Sequence, residues 1–168
     1  CIRDSEGDEE VNLIFHDAVR PLVSQRIIND VIDALVDHRA IDVAIPSADT
    51  IIEVDDNDNI TSIPDRSRLR RGQTPQAFDR QLIADAYERA LKDPAFKTTD
   101  DCGVVRHYTD EPVFVVRGEE SNMKLTYRED TYMLDKLFQL KNTEPDSIAH
   151  VNDVFRDKVA VVFGGSYG

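Results

Sequence analysis

Apolar positions change period along this chain, and the changes mark out the elements. Val11–Phe15 is a short continuous apolar run, the pattern of a strand buried on both faces. From Ser24 to Val36 the apolar residues Ile27, Ile28, Val31, Ile32, Leu35 and Val36 recur at helical spacing, with Ser24 placed as N-cap. Asp42–Ile45 reads as the next strand, stopped by Pro46. Strand, helix and strand on short connections make a βαβ unit and predict a parallel sheet. Thr50–Val54 and Ile60–Ile63 flank the turn-rich Asp-Asp-Asn-Asp-Asn and predict a β-hairpin arm. Asp79–Leu91 is amphipathic and ends before Pro94, while Pro112–Val116 is another apolar strand. Thr126 with Glu129 has the spacing of a capping box and predicts a helix from there to about Leu140. The pattern is that of an α/β fold in three layers with an inserted arm.

Bulk properties narrow the function classes. The 168 residues suit one domain with a sizeable core, and 40% hydrophobic against 32% charged is a globular balance. No apolar stretch approaches the ~20 residues of a bilayer span and no signal peptide is visible, so no membrane partner is expected. Two cysteines, Cys1 and Cys102, form no spaced framework and point to a reducing, cytoplasmic setting. With 33 acidic and 20 basic residues the formal charge is −13, which argues against nucleic acid as a partner. Arg66, Arg68, Arg70 and Arg71 gather against that trend beside Asp65. A phosphate partner and a solvated arginine face account for them equally well.

Four charged clusters stand in order: His16-Asp17-Ala18-Val19-Arg20-Pro21 after the first strand, then residues 63–79, 98–104 and 117–126. Together they resemble the second half of a sugar- or polyol-phosphate cytidylyltransferase, over about Val11–Leu140. The resemblance implies a Rossmann-like nucleotidyltransferase fold with a mixed, mostly parallel sheet and the hairpin as a protruding arm at about 47–72. It also implies transfer of a cytidylyl group from CTP to an alcohol phosphate with Mg²⁺ or another divalent cation.

Asp17 ends a strand, where α/β folds place ligands, and carboxylate and amide oxygens suit Mg²⁺. On its own, such an aspartate is more often a turn or cap residue. The family pattern assigns Asp17 and Asn122 to the metal. Lys124 it assigns to charge neutralisation at the pentacoordinate phosphorus. Arg66, on the arm, matches an arginine that contacts the acceptor phosphate across a homodimer. Thr50 and Thr74 align with further acceptor-phosphate contacts, and Asp100 with a carboxylate that binds acceptor hydroxyls. Arg20 counts with Thr50, Thr74 and Asp100 among the substrate-binding positions the resemblance implies, with an ion pair that organises its turn as the better reading of its role.

His16 needs no role as a base, because phosphate nucleophiles are already deprotonated near neutral pH, and it reads as a satisfied histidine. His38, His107 and His150 lack metal-ligand spacing, and acidic neighbours disfavour a Cys102 thiolate. Ser121 stands where some family members carry an acid.

Two acceptors fit, ribitol-5-phosphate for teichoic-acid or capsule precursors and methylerythritol-4-phosphate for isoprenoids. The stretches 47–54 and 63–78 lie nearer the ribitol branch. Residues 141–157 read as a linker. Lys158–Phe163, running into Gly164-Gly165-Ser166-Tyr167-Gly168, resembles the first strand and Gly-rich turn of a short-chain dehydrogenase. Fusion to such a reductase, with NADP, points the same way. The family's N-terminal Gly-rich nucleotide loop has no counterpart here, so residues 1–140 read as the C-terminal part of the transferase domain. The 168-residue chain alone is then expected not to catalyse transfer. A non-catalytic α/β binding module is the rival from another class.

Overall fold

A computed structural model describes residues 11–141. The linker expected over 141–157, apart from Lys141, and the dehydrogenase-like start expected over 158–168 lie outside the described residues.

Six strands and four helices appear in the order β1 (Asn12–Phe15), α1 (Gln25–Ala34), β2 (Ala40–Pro46), β3 (Glu53–Val54), β4 (Ile60–Ser62), β5 (Arg70–Asp79), α2 (Arg80–Ala90), α3 (Asp101–Tyr108), β6 (Phe114–Arg117) and α4 (Asp130–Lys141). The main sheet runs β1-β5-β2-β6. β5 pairs antiparallel with both β1 and β2, and β2 pairs parallel with β6. Three of the four strands therefore share a direction and β5 opposes them, giving the mixed α/β sheet.

The strands β1 and β2 are parallel yet not adjacent, which corrects the simple βαβ reading. β5 lies between them. Its sequence conceals a central strand, because Gly72 and Pro75 punctuate it and Pro lacks a ladder donor. The sheet accommodates Pro75 through a bulge. Val43 pairs with Gln73 and Ile41 with Ala77, so two steps of β2 span four of β5. Pro75 falls inside that gap. β1 is likewise at the edge of the described sheet and half-buried, not enclosed on both faces.

Helices cover both faces, giving three layers. On one side α1 inserts Ile27 and Val31 against Ile41, Val43, Ala77 and Val116. On the other, α2 and α3 bring Leu82, Ile83, Val104 and Val105 against Ala40 and Phe78. Alternation along β5 sends Ala77 to the first core and Phe78 to the second. The hairpin β3–β4 turns on Asp55, whose carboxylate accepts the backbone N–H groups of Asn57 and Asn59.

Each of three helices begins on an acceptor side chain. Ser24 caps α1 at Ile27 N, Asp79 caps α2 at Leu82 N, and Asp100 caps α3 at Gly103 N. α4 starts later than the spacing of Thr126 and Glu129 predicts. Asp130 Oδ2 accepts the backbone N–H of both Thr126 and Tyr127 at 2.8 Å, so the chain is held in turns until Asp130. The Thr126 hydroxyl meanwhile faces the Lys124 carbonyl instead of capping. Among the described residues no helix is long and apolar enough to cross a membrane.

Candidate active site

The C-terminal ends of β1 and β6 and the first half of β5 converge on one edge of the sheet. The turn after β1 carries Asp17, the loop after β6 carries Asn122 and Lys124, and β5 supplies Gln73 and Thr74 between them.

Polar bonds fix the turn after β1. His16 places Nε2 3.0 Å from the Arg20 carbonyl and Nδ1 3.0 Å from Thr74 Oγ1. The tautomer with its proton on Nε2 satisfies both contacts, with the Thr74 hydroxyl donating to Nδ1. The same hydroxyl accepts Asp17 N–H at 3.0 Å. Thr74 thus orients Asp17 through its backbone. The carboxylate of Asp17 points at two cations, with Oδ2 3.3 Å from Lys124 Nζ and 3.4 Å from Arg20 Nε. Arg20 also donates from Nη1 to the Asn122 carbonyl at 2.8 Å, tying the two loops together.

Asn122 is fully buried. Its Nδ2 donates to the Thr74 carbonyl at 2.7 Å and to Gln73 Oε1 at 3.3 Å. Gln73 answers with a bond from Nε2 to the Glu119 carbonyl at 2.8 Å and accepts Glu119 N–H. Gly118 makes this fit possible, since a Cβ there would lie 2.2 Å from Gln73 Oε1. One atom is left over: Asn122 Oδ1 is buried with no hydrogen-bond partner. A buried unpaired amide oxygen costs free energy unless a ligand claims it.

A clamp behind the loop sets its height. Glu119 Oε1 accepts from the Ser24 hydroxyl at 2.8 Å and from Arg26 Nε at 2.9 Å, and Arg26 Nη2 reaches the Arg117 carbonyl. Burial works against the Glu119 charge, but the bonds from Ser24 and Arg26 outweigh it and hold the carboxyl below its ordinary range. Ser24 therefore serves two elements. Ser24→Ala should destabilise the protein by about 1–2 kcal/mol, read by urea denaturation, from a lost N-cap and a lost bond to Glu119.

A second group lies further along β5. Gln76, also buried, donates from Nε2 to Asp42 Oδ1 at 2.9 Å and to Asp100 Oδ2 at 3.2 Å. Asp42 and Asp100 line a cavity of about 610 Å³ that Arg106 also borders. Burial, with the charges of Asp42 and Asp100 adding, pushes the Cys102 thiol far up, so it is no thiolate nucleophile.

The structure thus brings together Asp17, Arg20, Thr74, Asn122 and Lys124, while Asp100 bonds to Gln76, two residues along β5 from Thr74. The arm residues stand apart. Arg66 is exposed in the short 3₁₀ turn Arg66–Arg68, donates to the Ala48 carbonyl at 3.1 Å, and borders a cavity of about 500 Å³ with Ser47 and Arg70. Thr50 is exposed at the start of the arm. Gln73, Gln76 and the Arg26–Glu119 clamp escaped the sequence reading. Two glutamines flanking Thr74-Pro75 were the available signal.

Comparison with known proteins places this edge in context. The family model described as "IspD: 2-C-methyl-D-erythritol 4-phosphate cytidylyltransferase" matches residues 3–139. The 2-C-methyl-D-erythritol 4-phosphate cytidylyltransferase of Thermobifida fusca (strain YX) is 44% identical over 137 residues, covering 79% of this chain and 55% of its own length. The bifunctional ribulose 5-phosphate reductase/CDP-ribitol pyrophosphorylase Bcs1 of Haemophilus influenzae is 42% identical over 166 residues, covering 95% of this chain and 35% of its own. The crystal structure of 4-diphosphocytidyl-2C-methyl-D-erythritol synthase from Anaerococcus prevotii DSM 20548 superposes with a TM-score of 0.75 at 36% identity, over 82% of this chain and 63% of that one. The chain spans roughly a third to just over half the length of these two curated relatives.

Proposed function

The chain belongs to the IspD family of cytidylyltransferases, and on that premise we propose that the protein transfers a cytidylyl group from CTP to D-ribitol-5-phosphate, giving CDP-ribitol and pyrophosphate. The observation that carries the reading is the convergence of Lys124 and Arg20 on Asp17 Oδ2 at the ends of two parallel strands. Two polyanions must meet in this reaction, and fixed positive charge around one carboxylate suits that meeting. An acceptor phosphate oxygen bonds to the α-phosphorus of CTP, the bond to the bridging oxygen breaks, and pyrophosphate leaves with the electron pair. No proton needs to move.

In this reading Lys124, half-exposed on its loop, swings from Asp17 to the phosphate oxygens as charge develops. Arg20 stays on Asp17 and the Asn122 carbonyl and keeps the two loops in register. Thr74, at the foot of the site, lies where an acceptor phosphate would rest, and Asp100 takes acceptor hydroxyls. The Asp17 carboxylate and the unpaired Asn122 Oδ1 are the oxygens that fit Mg²⁺. When bound, the ion neutralises phosphate charge. Ile51, Ile52, Val54, Ile60 and Ile63 are all exposed on the arm, and this apolar surface supports a homodimer in which Arg66 reaches the partner's acceptor phosphate.

Ribitol is favoured because the similarity to the bifunctional reductase/pyrophosphorylase extends over 166 residues, beyond the 3–139 of the family model. This supports reading 158–168 as the start of an NADP-dependent reductase. Methylerythritol-4-phosphate is the second reading, favoured by the Thermobifida relative. The test follows pyrophosphate release by the full-length protein with CTP and Mg²⁺, offering each acceptor separately. Turnover on ribitol-5-phosphate is expected. Turnover on methylerythritol-4-phosphate alone reassigns the acceptor, and a folded protein silent on both overturns the transferase reading.

A further inference from the structure

Gln76 occupies an unusual position. It is 4% exposed on a central strand, yet its single amide nitrogen serves two carboxylates from different elements, Asp42 of β2 and Asp100 at the start of α3. The two N–H groups of one amide are both used, so each carboxylate is held by a neutral donor and not by a counter-ion. Asp100 is thereby fixed at both oxygens. Oδ1 accepts Gly103 N–H at 2.7 Å as the cap of α3, and Oδ2 accepts from Gln76. Each carboxylate oxygen retains a lone pair for a further donor, and Asp100 itself is exposed at the cavity it lines with Asp42.

Asp42 explains why a donor is needed there. It interrupts the otherwise apolar strand Ala40–Pro46. Burial raises its carboxyl above the ordinary range, the Gln76 bond counters the rise, and the charge of Asp100 adds to it. Without the amide, two carboxylates would face each other across the cavity. Asp100 could relieve that repulsion by swinging Oδ2 away towards solvent about the Oδ1 bond to Gly103 N–H, or by giving up that cap.

Resting on the transferase reading above, we propose that Gln76 is a positioning residue for acceptor binding: its amide holds Asp100 in the rotamer that accepts the polyol hydroxyls. Gln76 touches neither the reacting phosphorus nor the nucleotide in this scheme. Its loss should appear in the acceptor's KM and leave the chemical step alone.

The experiment measures steady-state kinetics of the full-length protein carrying Gln76→Met, a volume-conserving change that removes both donors. Acceptor KM should rise about tenfold, as for loss of one hydrogen bond to a charged group. The KM for CTP and kcat should stay within about twofold, as expected when only acceptor ground-state binding changes. Asp100→Asn, alone and combined with Gln76→Met, completes a cycle in which the double variant is no worse than Asp100→Asn. Should Gln76→Met fail to fold, Gln76→Asn, which keeps a polar amide but draws it back from both carboxylates by one methylene, reads the same quantity. An unchanged acceptor KM in a wild type that turns over, or additive losses in the double variant, overturns the inference alone. A wild type silent with both acceptors overturns the transferase reading and the inference with it.

Discussion

Replacing Lys124 with alanine in the full-length protein should lower kcat by about two to three orders of magnitude, the range for removing one preorganised charge from a developing anion. The same change should barely alter stability. Lys124 is half-exposed and its pairing with Asp17 is 3.3 Å long, so the ion pair contributes roughly 0–1 kcal/mol. That contrast is the useful part. A lysine that merely tethered its loop would lose melting temperature and activity together, whereas a phosphate-facing lysine loses activity at constant melting temperature. Stopped assays of pyrophosphate release beside thermal melts separate the two. Equal activity of Lys124→Ala and wild type would remove the lysine from the chemistry and favour a binding module.

Asn122→Ala should instead lose stability and activity together. The side chain is fully buried, and its loss strands the Thr74 carbonyl and weakens the Gln73 network. The Thr74 carbonyl left without this donor, and Gln73 Oε1 left with Glu119 N–H alone, cost about 1–3 kcal/mol together, measurable as a lower urea midpoint at unchanged slope. Removal of Oδ1 relieves one unpaired oxygen and offsets part of that loss. Activity should fall as well, because Thr74 holds both His16 and the Asp17 backbone. A variant as stable as wild type would mean that the amide bonds matter less than their burial suggests.

Much of this arrangement was legible in the residues. Ser24 announces its helix because a short acceptor side chain before an apolar period has one common use. Asp42–Ile45 and Pro112–Val116 stand out as strands because β-branched runs bounded by breakers have few alternatives. β5 was hidden for a physical reason: Gly72, Pro75 and two glutamines in ten residues deny it the apolar alternation of a central strand, and only a bulge lets Pro75 stay. α3 was hidden because its start, Asp100-Asp101-Cys102-Gly103, carries a glycine in the first turn, a weak helix former. The site residues were legible as a set through resemblance, since an aspartate after a strand is uninformative alone. Their supports were not, because Gln73, Gln76 and Glu119 act through bonds to residues dozens of positions away.

The insertion of β5 between β1 and β2 also orders events in time. β1 is bonded into the described sheet only through β5, and the bond from Asp17 N–H to Thr74 joins residues 57 apart in sequence. Closing a loop of that length delays its reward until late in the search, as in other folds dominated by distant pairings. On loop length the turn that carries Asp17 is expected to assemble after β2 and β5 have paired, since those strands lie nearer in sequence. A chain arrested short of that docking would hold most of its core and still present no organised carboxylate. Organisation of this edge then marks late folding, because both strands that end there, β1 and β6, pair with partners more than 60 residues away in sequence.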